Sequence, residues 1–433
     1  MHPLDSWHKE YSYGFREMID SIFILSGQGD IIIDRPFAQT SPRSLAEECY
    51  KLIKENKESN LLKPVLSSEQ EPAYMFHYEK HNLIYIAITR TEGPALLFSK
   101  FLEHLDLVLC DFFGEEGLGE KVRSQFVYLY MIMDELIDGG FPNITEPNMI
   151  KELLNPPGPS GHSAGTVISK TELPPTLTSS LYWRKGTVLY VNNEIFIDIN
   201  ETMNAIFGRD GVIITSFING EVLCCSKLSG VPTILLNYDN VMVMEDVSVH
   251  PCVKYLEWVN KKHVMFVPPD GNFTLMKYRA GTASAAVPPP ISVRPSFTFS
   301  KGSARFELAI AARNTGSKAV EQCFIDFSMP STSRQINATA TQGAFTYDSN
   351  KKTARWTVGT LPMQGEVVLT GNIDFEDRDA YCEERPIATI SFRVPMYAVS
   401  GLKIRSLTLS GPTYKMFKGM RCLTIGGNYE VRM

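Results

Sequence analysis

The feature that most constrains this chain is a change of character near its middle. Of the 26 residues from 155 to 180, 17 are Pro, Gly, Ser or Thr, and none is Phe, Trp or Tyr. Such a stretch cannot bury an apolar face, so it separates two folding units. The chain of 433 residues has room for two or three domains. Its 44% hydrophobic and 21% charged residues are ordinary globular values.

The two sides of the linker have different periods. Before it, Ile19–Leu25 and Ile31–Arg35 flank a Gly-rich turn and read as a β-hairpin. A helix opens after Ser41, and two strands follow at Ala73–His77 and Leu83–Thr89. Pro94 starts a helix running to about Phe113, and a single further helix is expected from Glu120 to Asp138, ended by Gly139-Gly140. Its face of Phe126, Leu129, Tyr130, Met133, Leu136 and Ile137 has helical spacing and is expected to seek a large partner. This order is an α+β domain. After the linker, short β-rich runs alternate with turns and helical patterns are scarce. That half reads as all-β sandwich, with a join around Ala283–Pro295. The phrase Val264–Tyr278, with its Pro268-Pro269-Asp270-Gly271 turn, is expected to pin a hairpin.

Signals for catalysis are weak. Gly27-Gln-Gly29 is a lone G-x-G and reads as a turn. His250-Pro251-Cys252 reads as structural. His77 and His81 straddle a turn without companion ligands, so no metal is expected. None of the eight cysteines forms a C-x-x-C pair, and a reducing cytosolic setting fits them. The net charge of −6 argues against a dedicated nucleic-acid binder. From Met396 onward, however, Lys403, Arg405, Lys415, Lys418, Arg421 and Arg432 outnumber Glu430, so that end could face acidic groups. Phe196, Asp198 and Arg421 together offer a ring, an acceptor and a donor, a set that can hold a tyrosine side chain.

Several phrases carry a family resemblance: Val247-Ser-Val-His-Pro-Cys-Val-Lys254, Phe266-Val-Pro-Pro-Asp-Gly-Asn-Phe273, Tyr182-Trp183-Arg184, Ser400-Gly-Leu-Lys403, Tyr429-Glu-Val-Arg432 and Met131–Pro142. The chain resembles the medium (mu) subunits of heterotetrameric adaptor complexes over residues 18–433. Phe417-Lys-Gly-Met-Arg421 and the His-Pro-Cys segment point to the third adaptor complex. The resemblance implies a longin-like α+β domain at 18–140 after an extension of residues 1–17. A connecting helix and linker at 141–180 lead to an all-β mu homology domain at 181–433. That domain would have one β-sandwich subdomain at about 181–285 with 396–433, and a second at about 286–395.

It also implies a non-enzymatic role without cofactors, reading Tyr-x-x-Φ sorting signals (Φ a bulky apolar residue) in cytosolic tails of membrane proteins. The tyrosine site would be Phe196, Asp198 and Arg421, and the Φ pocket Ile195, Ile197, Ile404, Leu407 and Met420. Cys225 stands where the plasma-membrane adaptor's medium chain has lysine, and Gly419 where it has tryptophan. One charge and one packing plate are therefore missing, and weak affinity is expected. The implied partners are two large subunits, one small subunit and an anionic membrane surface. The implied place is the cytoplasmic side of Golgi, endosomal and vesicle membranes, on the route to lysosome-related organelles. A medium subunit of another adaptor complex, or a stand-alone mu-homology membrane scaffold, are the alternatives.

Overall fold

The computed structural model describes residues 19–58, 63–154, 179–281, 287–376 and 384–433. The extension 1–17 and nearly all of the linker lie outside these residues. Residues 1–183 and 184–433 form two compact units.

The N-terminal unit contains β1 (Ser21–Ser26), β2 (Ile31–Pro36), α1 (Arg43–Glu58), β3 (Val65–Ser67), β4 (Tyr74–Lys80) and β5 (Leu83–Thr89). It continues with α2 (Ala95–Phe113), α3 (Leu118–Ser124), α4 (Phe126–Leu136), β6 (Ile137–Asp138), β7 (Phe141–Pro142) and α5 (Pro147–Leu154). Five of these strands make an antiparallel sheet in the order β2-β1-β5-β4-β3. Both faces are covered, so the central β5 is a continuous apolar run with every residue buried. Its Ile84, Ile86 and Ile88 join Leu45, Cys49 and Ile53 of α1, and Tyr85 and Ala87 join the core under the remaining helices. In α2, Phe98, Leu102, Leu105, Leu109 and Phe112 fall at steps of three and four and bury one face.

Three expectations change here. The single helix at 120–138 is two, because Gln125 takes non-helical angles (φ −116°, ψ 38°) between α3 and α4. The Gly139-Gly140 pair, both at positive φ, turns a small hairpin between β6 and β7. Most of the predicted face is already buried within the unit: Leu129, Met133 and Leu136 have no exposed surface, while Phe126 and the adjacent Val127 are exposed. Ile150 and Leu154 of α5 extend the same core beyond residue 140.

The C-terminal unit begins with β8 (Glu194–Phe207), β9 (Ile213–Lys227), β10 (Thr233–Asp239), β11 (Glu245–Val249), α6 (Tyr255–Lys261), β12 (Val264–Phe266) and β13 (Gly271–Ala280). Next come β14 (Ile291–Ser300), β15 (Ser303–Ala312), β16 (Val320–Ser328), β17 (Ser333–Ala340), β18 (Ala344–Asp348), β19 (Thr353–Leu361) and β20 (Val367–Phe375). It closes with β21 (Ile387–Pro395), β22 (Lys403–Ser410) and β23 (Phe417–Arg432).

A nine-stranded sheet, β11-β13-β9-β8-β23-β21-β16-β19-β18, runs through the unit. A three-stranded sheet, β12-β10-β22, and a four-stranded sheet, β14-β15-β20-β17, complete it. Phe306 of β15 and Phe327 of β16 meet across two sheets with ring centroids 6.2 Å apart. The Val264–Tyr278 phrase is not a hairpin: β12 pairs with β10 in one sheet, and β13 with β9 and β11 in another. Pro268 and Pro269 have no N–H to continue a ladder, so the chain crosses between sheets there. Arg184 secures that crossing. Buried, it donates to the carbonyls of Gly230 (2.6 Å), Pro268 (2.8 Å) and Leu228.

Candidate functional site

The site is built by two strands more than 200 residues apart in the chain. β8 and β23 pair in parallel, with Phe196 in register with Gly419 and Asp198 with Arg421. β9 runs antiparallel on the other side of β8 and sets Cys225 opposite Phe196. Side chains alternate along a strand, so Phe196, Asp198, Cys225, Gly419 and Arg421 share the outer face. The alternation shows in burial: Ile195, Ile197 and Ile199 have no exposed surface, while Phe196 and Asp198 are half-buried.

On that face Arg421 grips Asp198 with both prongs of its guanidinium. Nε donates to Oδ1 at 3.1 Å and Nη2 to Oδ2 at 2.7 Å. The hydrogen bonds to Asp198, then its charge, raise Arg421 above the usual arginine range. Two prongs occupy only part of the carboxylate's acceptor capacity, which leaves room for a hydroxyl donor. Cys225 puts a neutral thiol beside this pair. Burial pushes that thiol up, against the lowering effect of Lys227.

Gly419 leaves no gap, contrary to the missing plate expected from the sequence. Phe196 leans across it: a Cβ added at Gly419 would stand 2.3 Å from Phe196 Cδ1. The Phe196 ring then meets Phe417, with centroids 5.8 Å apart and planes tilted by 54°. Phe417 lies on the same face two residues before Gly419 and is 60% exposed. Its place in the site was not foreseen, although its period-2 spacing from Gly419 and Arg421 was a usable signal.

Of the five residues expected to form an apolar pocket, Ile195, Ile197 and Met420 lie on the inner side of β8 and β23. Met420 is in register with Ile197, and Lys418 with Ile195. β22 passes nearby: Lys418 Nζ donates to the Leu407 carbonyl. A correction applies to Ile195 and Ile197. Both are wholly buried, so the accessible surface comes from Met420 and Ile404, with Leu407 nearly covered. Residues three apart in an extended peptide point to opposite faces. A tyrosine on the outer face therefore carries its Φ residue to this inner side.

The edge of β23 is the remaining part. β21 pairs with β23 only from Leu423 onward, where Pro395 is its partner. Among the described residues, no strand pairs with the Phe417–Cys422 stretch on the side away from β8. That row of backbone groups is a template for one more strand.

Beneath the site Glu201 is buried and ties three segments together. It accepts from Tyr278 Oη (2.7 Å), from the Ser400 backbone N–H (3.1 Å) and from the Ser400 hydroxyl. The basic C-terminal end is partly neutralised within the fold. Arg421 pairs with Asp198, Arg432 with Glu430 (2.9 Å) and Arg405 with Asp239 (3.8 Å).

His81 does have companions. Its ring lies 2.9 Å from Asp106 and 3.0 Å from Glu115, and its Nδ1 is 3.5 Å from Cys110 Sγ. The His81, Asp106 and Cys110 donor atoms lie within 4.8 Å of one another. The buried Asp106 already accepts from Tyr85 Oη (2.9 Å), and Lys80 Nζ stands 3.3 Å from its Oδ2. The protein's own ammonium thus sits where a cation would neutralise that carboxylate. His250 Nδ1 accepts from the Cys252 backbone N–H at 3.1 Å, which is a structural turn.

An all-β unit with an open edge strand, flanked by an aromatic and ionic face, has the form of a peptide-recognition module. The family model described as the adaptor complexes medium subunit family matches residues 181–433. The chain belongs to that family. It is 32% identical over 426 residues to "AP-3 complex subunit mu" of Dictyostelium discoideum, covering 96% of this chain and all of that one. It is 30% identical over 421 residues to "AP-3 complex subunit mu-1" of Homo sapiens, with the same coverage of both chains. A chain of a homology model of the full-length AP-3 complex in an intermediate open conformation has a TM-score of 0.59 at 19% identity. That match covers 95% of this chain and 99% of that one and agrees in fold. No described helix is long and apolar enough to cross a membrane.

Proposed function

We propose that this chain is the cargo-reading medium subunit of a third-type adaptor complex, and that it binds Tyr-x-x-Φ signals in the cytosolic tails of membrane proteins. The observation that carries the reading is the open Phe417–Cys422 edge of β23 beside Phe196, Asp198 and Arg421. The signal adds as a strand. Its tyrosine ring lies against Phe196 and the stem of Arg421, and its hydroxyl donates to Asp198. Its Φ side chain turns to Met420, Ile404 and Leu407. A phosphate on the tyrosine would meet the Asp198 carboxylate as a like charge, so phosphorylation releases the signal. The partners are two large subunits and one small subunit, with peripheral contact to anionic membrane. The route runs from Golgi or endosome to lysosome-related organelles. Each peptide contact is weak, and recruitment comes from several contacts acting at once.

A titration of a labelled Tyr-x-x-Leu peptide against the full chain tests this. Micromolar binding is expected, lost with Asp198→Ala, with a Tyr→Ala peptide and with phosphotyrosine. Binding unchanged by Asp198→Ala, or absent at about millimolar protein, would remove the reading.

A further inference from the structure

The open edge of β23 has a definite length, and that length limits how a peptide can lie on it. It runs from Phe417 to Cys422 and closes at Leu423, where β21 takes over. Asp198 and Arg421 share one register position, so a tyrosine bonded to Asp198 lies level with Arg421 on the outer face. A peptide parallel to β23 would bring its Φ residue level with Thr424, which is fully buried and lies within the stretch that β21 flanks. A peptide antiparallel to β23 brings Φ level with Lys418, on the inner side with Met420 and next to Leu407. Only the antiparallel direction keeps all four residues on the open edge.

In that register the second residue after the tyrosine returns to the outer face, level with Gly419. Gly419 offers no side chain. What stands there is the Phe196 ring leaning across it and, beside that, the Phe417 ring. Phe417 presents 60% of its surface to solvent, a large apolar area at the end of an open strand edge. We infer that Phe417 is a specificity-determining residue: with Phe196 it makes a tilted aromatic wall that selects a flat apolar side chain, an aromatic ring or proline, two positions after the signal tyrosine. This rests on the function proposed above.

The test is a titration of the full chain with Tyr-x-Phe-Leu and Tyr-x-Ser-Leu peptides and with their Tyr→Ala counterparts. Wild type is expected to favour the Phe peptide by about fivefold, within the range that aromatic pairs reach. Phe417→Ala should bring the two peptides within about twofold while the tyrosine dependence persists. Phe417→Tyr should restore the preference. An unchanged preference in Phe417→Ala, or none in wild type, overturns the inference while leaving tyrosine reading intact. Loss of the tyrosine dependence in wild type overturns the underlying reading and the inference with it.

Discussion

Replacing Gly419 by alanine adds one methyl group where Phe196 already lies. The new Cβ would stand 2.3 Å from Phe196 Cδ1 and 2.7 Å from Cε1. Carbon atoms in contact prefer about 3.5–4.0 Å, so the ring must move by roughly 1 Å or more. The backbone asks for no special conformation at this strand position, and a strand alanine is favoured over glycine by about 0.5–1 kcal/mol. Folding stability should therefore hold or rise slightly. Binding should weaken, because the displaced ring leaves both Phe417 and the open edge. An aromatic contact of about 0.5–1.5 kcal/mol corresponds to a Kd higher by about twofold to twelvefold. Weaker binding at an unchanged melting temperature separates this cause from misfolding. Calorimetric titration of a Tyr-x-x-Leu peptide against Gly419→Ala, Phe196→Ala and the double variant completes the cycle. If the methyl acts through the ring, the double variant binds like Phe196→Ala. Wild-type affinity in Gly419→Ala, or an undiminished loss in the Phe196→Ala background, would refute the argument.

Three further outcomes are expected. Glu201→Ala leaves the Tyr278 hydroxyl and both Ser400 donors without their buried acceptor, at about 1–3 kcal/mol for each. Its urea midpoint should fall by the equivalent of about 3 kcal/mol or more, and an unmoved midpoint would contradict the network. Arg184→Lys keeps the charge but cannot fan out to three carbonyls, so thermal unfolding should show a loss of about 2–4 kcal/mol. The Asp106 hydrogen bond raises His81, helped by the Glu115 bond and opposed by burial. The stability this adds is fully present below the ordinary histidine value of about 6.5 and is lost as pH rises through the raised folded value. Wild type should therefore lose stability relative to His81→Gln as pH rises above about 6.5 in denaturant titrations, and parallel profiles would exclude the effect.

Much of the local structure was legible because local patterns cause it. The steps of three and four in Phe98–Phe112 specify α2, and alternation from Glu194 specifies β8. In the structure that alternation sets Phe196 and Asp198 on one face of β8 and Ile195 and Ile197 on the other. The break at Gln125 was not legible, since no Gly or Pro marks it and tertiary packing decides it. The crossing at Pro268-Pro269 is not legible in sequence, because a turn signal does not say which sheet receives the next strand. The filling of the space at Gly419 is likewise hidden in sequence, since composition cannot show that a neighbouring strand's ring lies across it.

From sequence alone came the two-unit organisation and most of its strand and helix runs, because periods of 2 and 3.6 are properties of adjacent residues. The resemblance carried by its phrases supplied the family and the candidate tyrosine site. Tertiary structure alone decided that β8 and β23 lie side by side in parallel, and that β21 leaves β23 uncovered before Leu423. An open edge is defined by which distant strands fail to cover it, and that is a property of the whole sheet rather than of any segment within it.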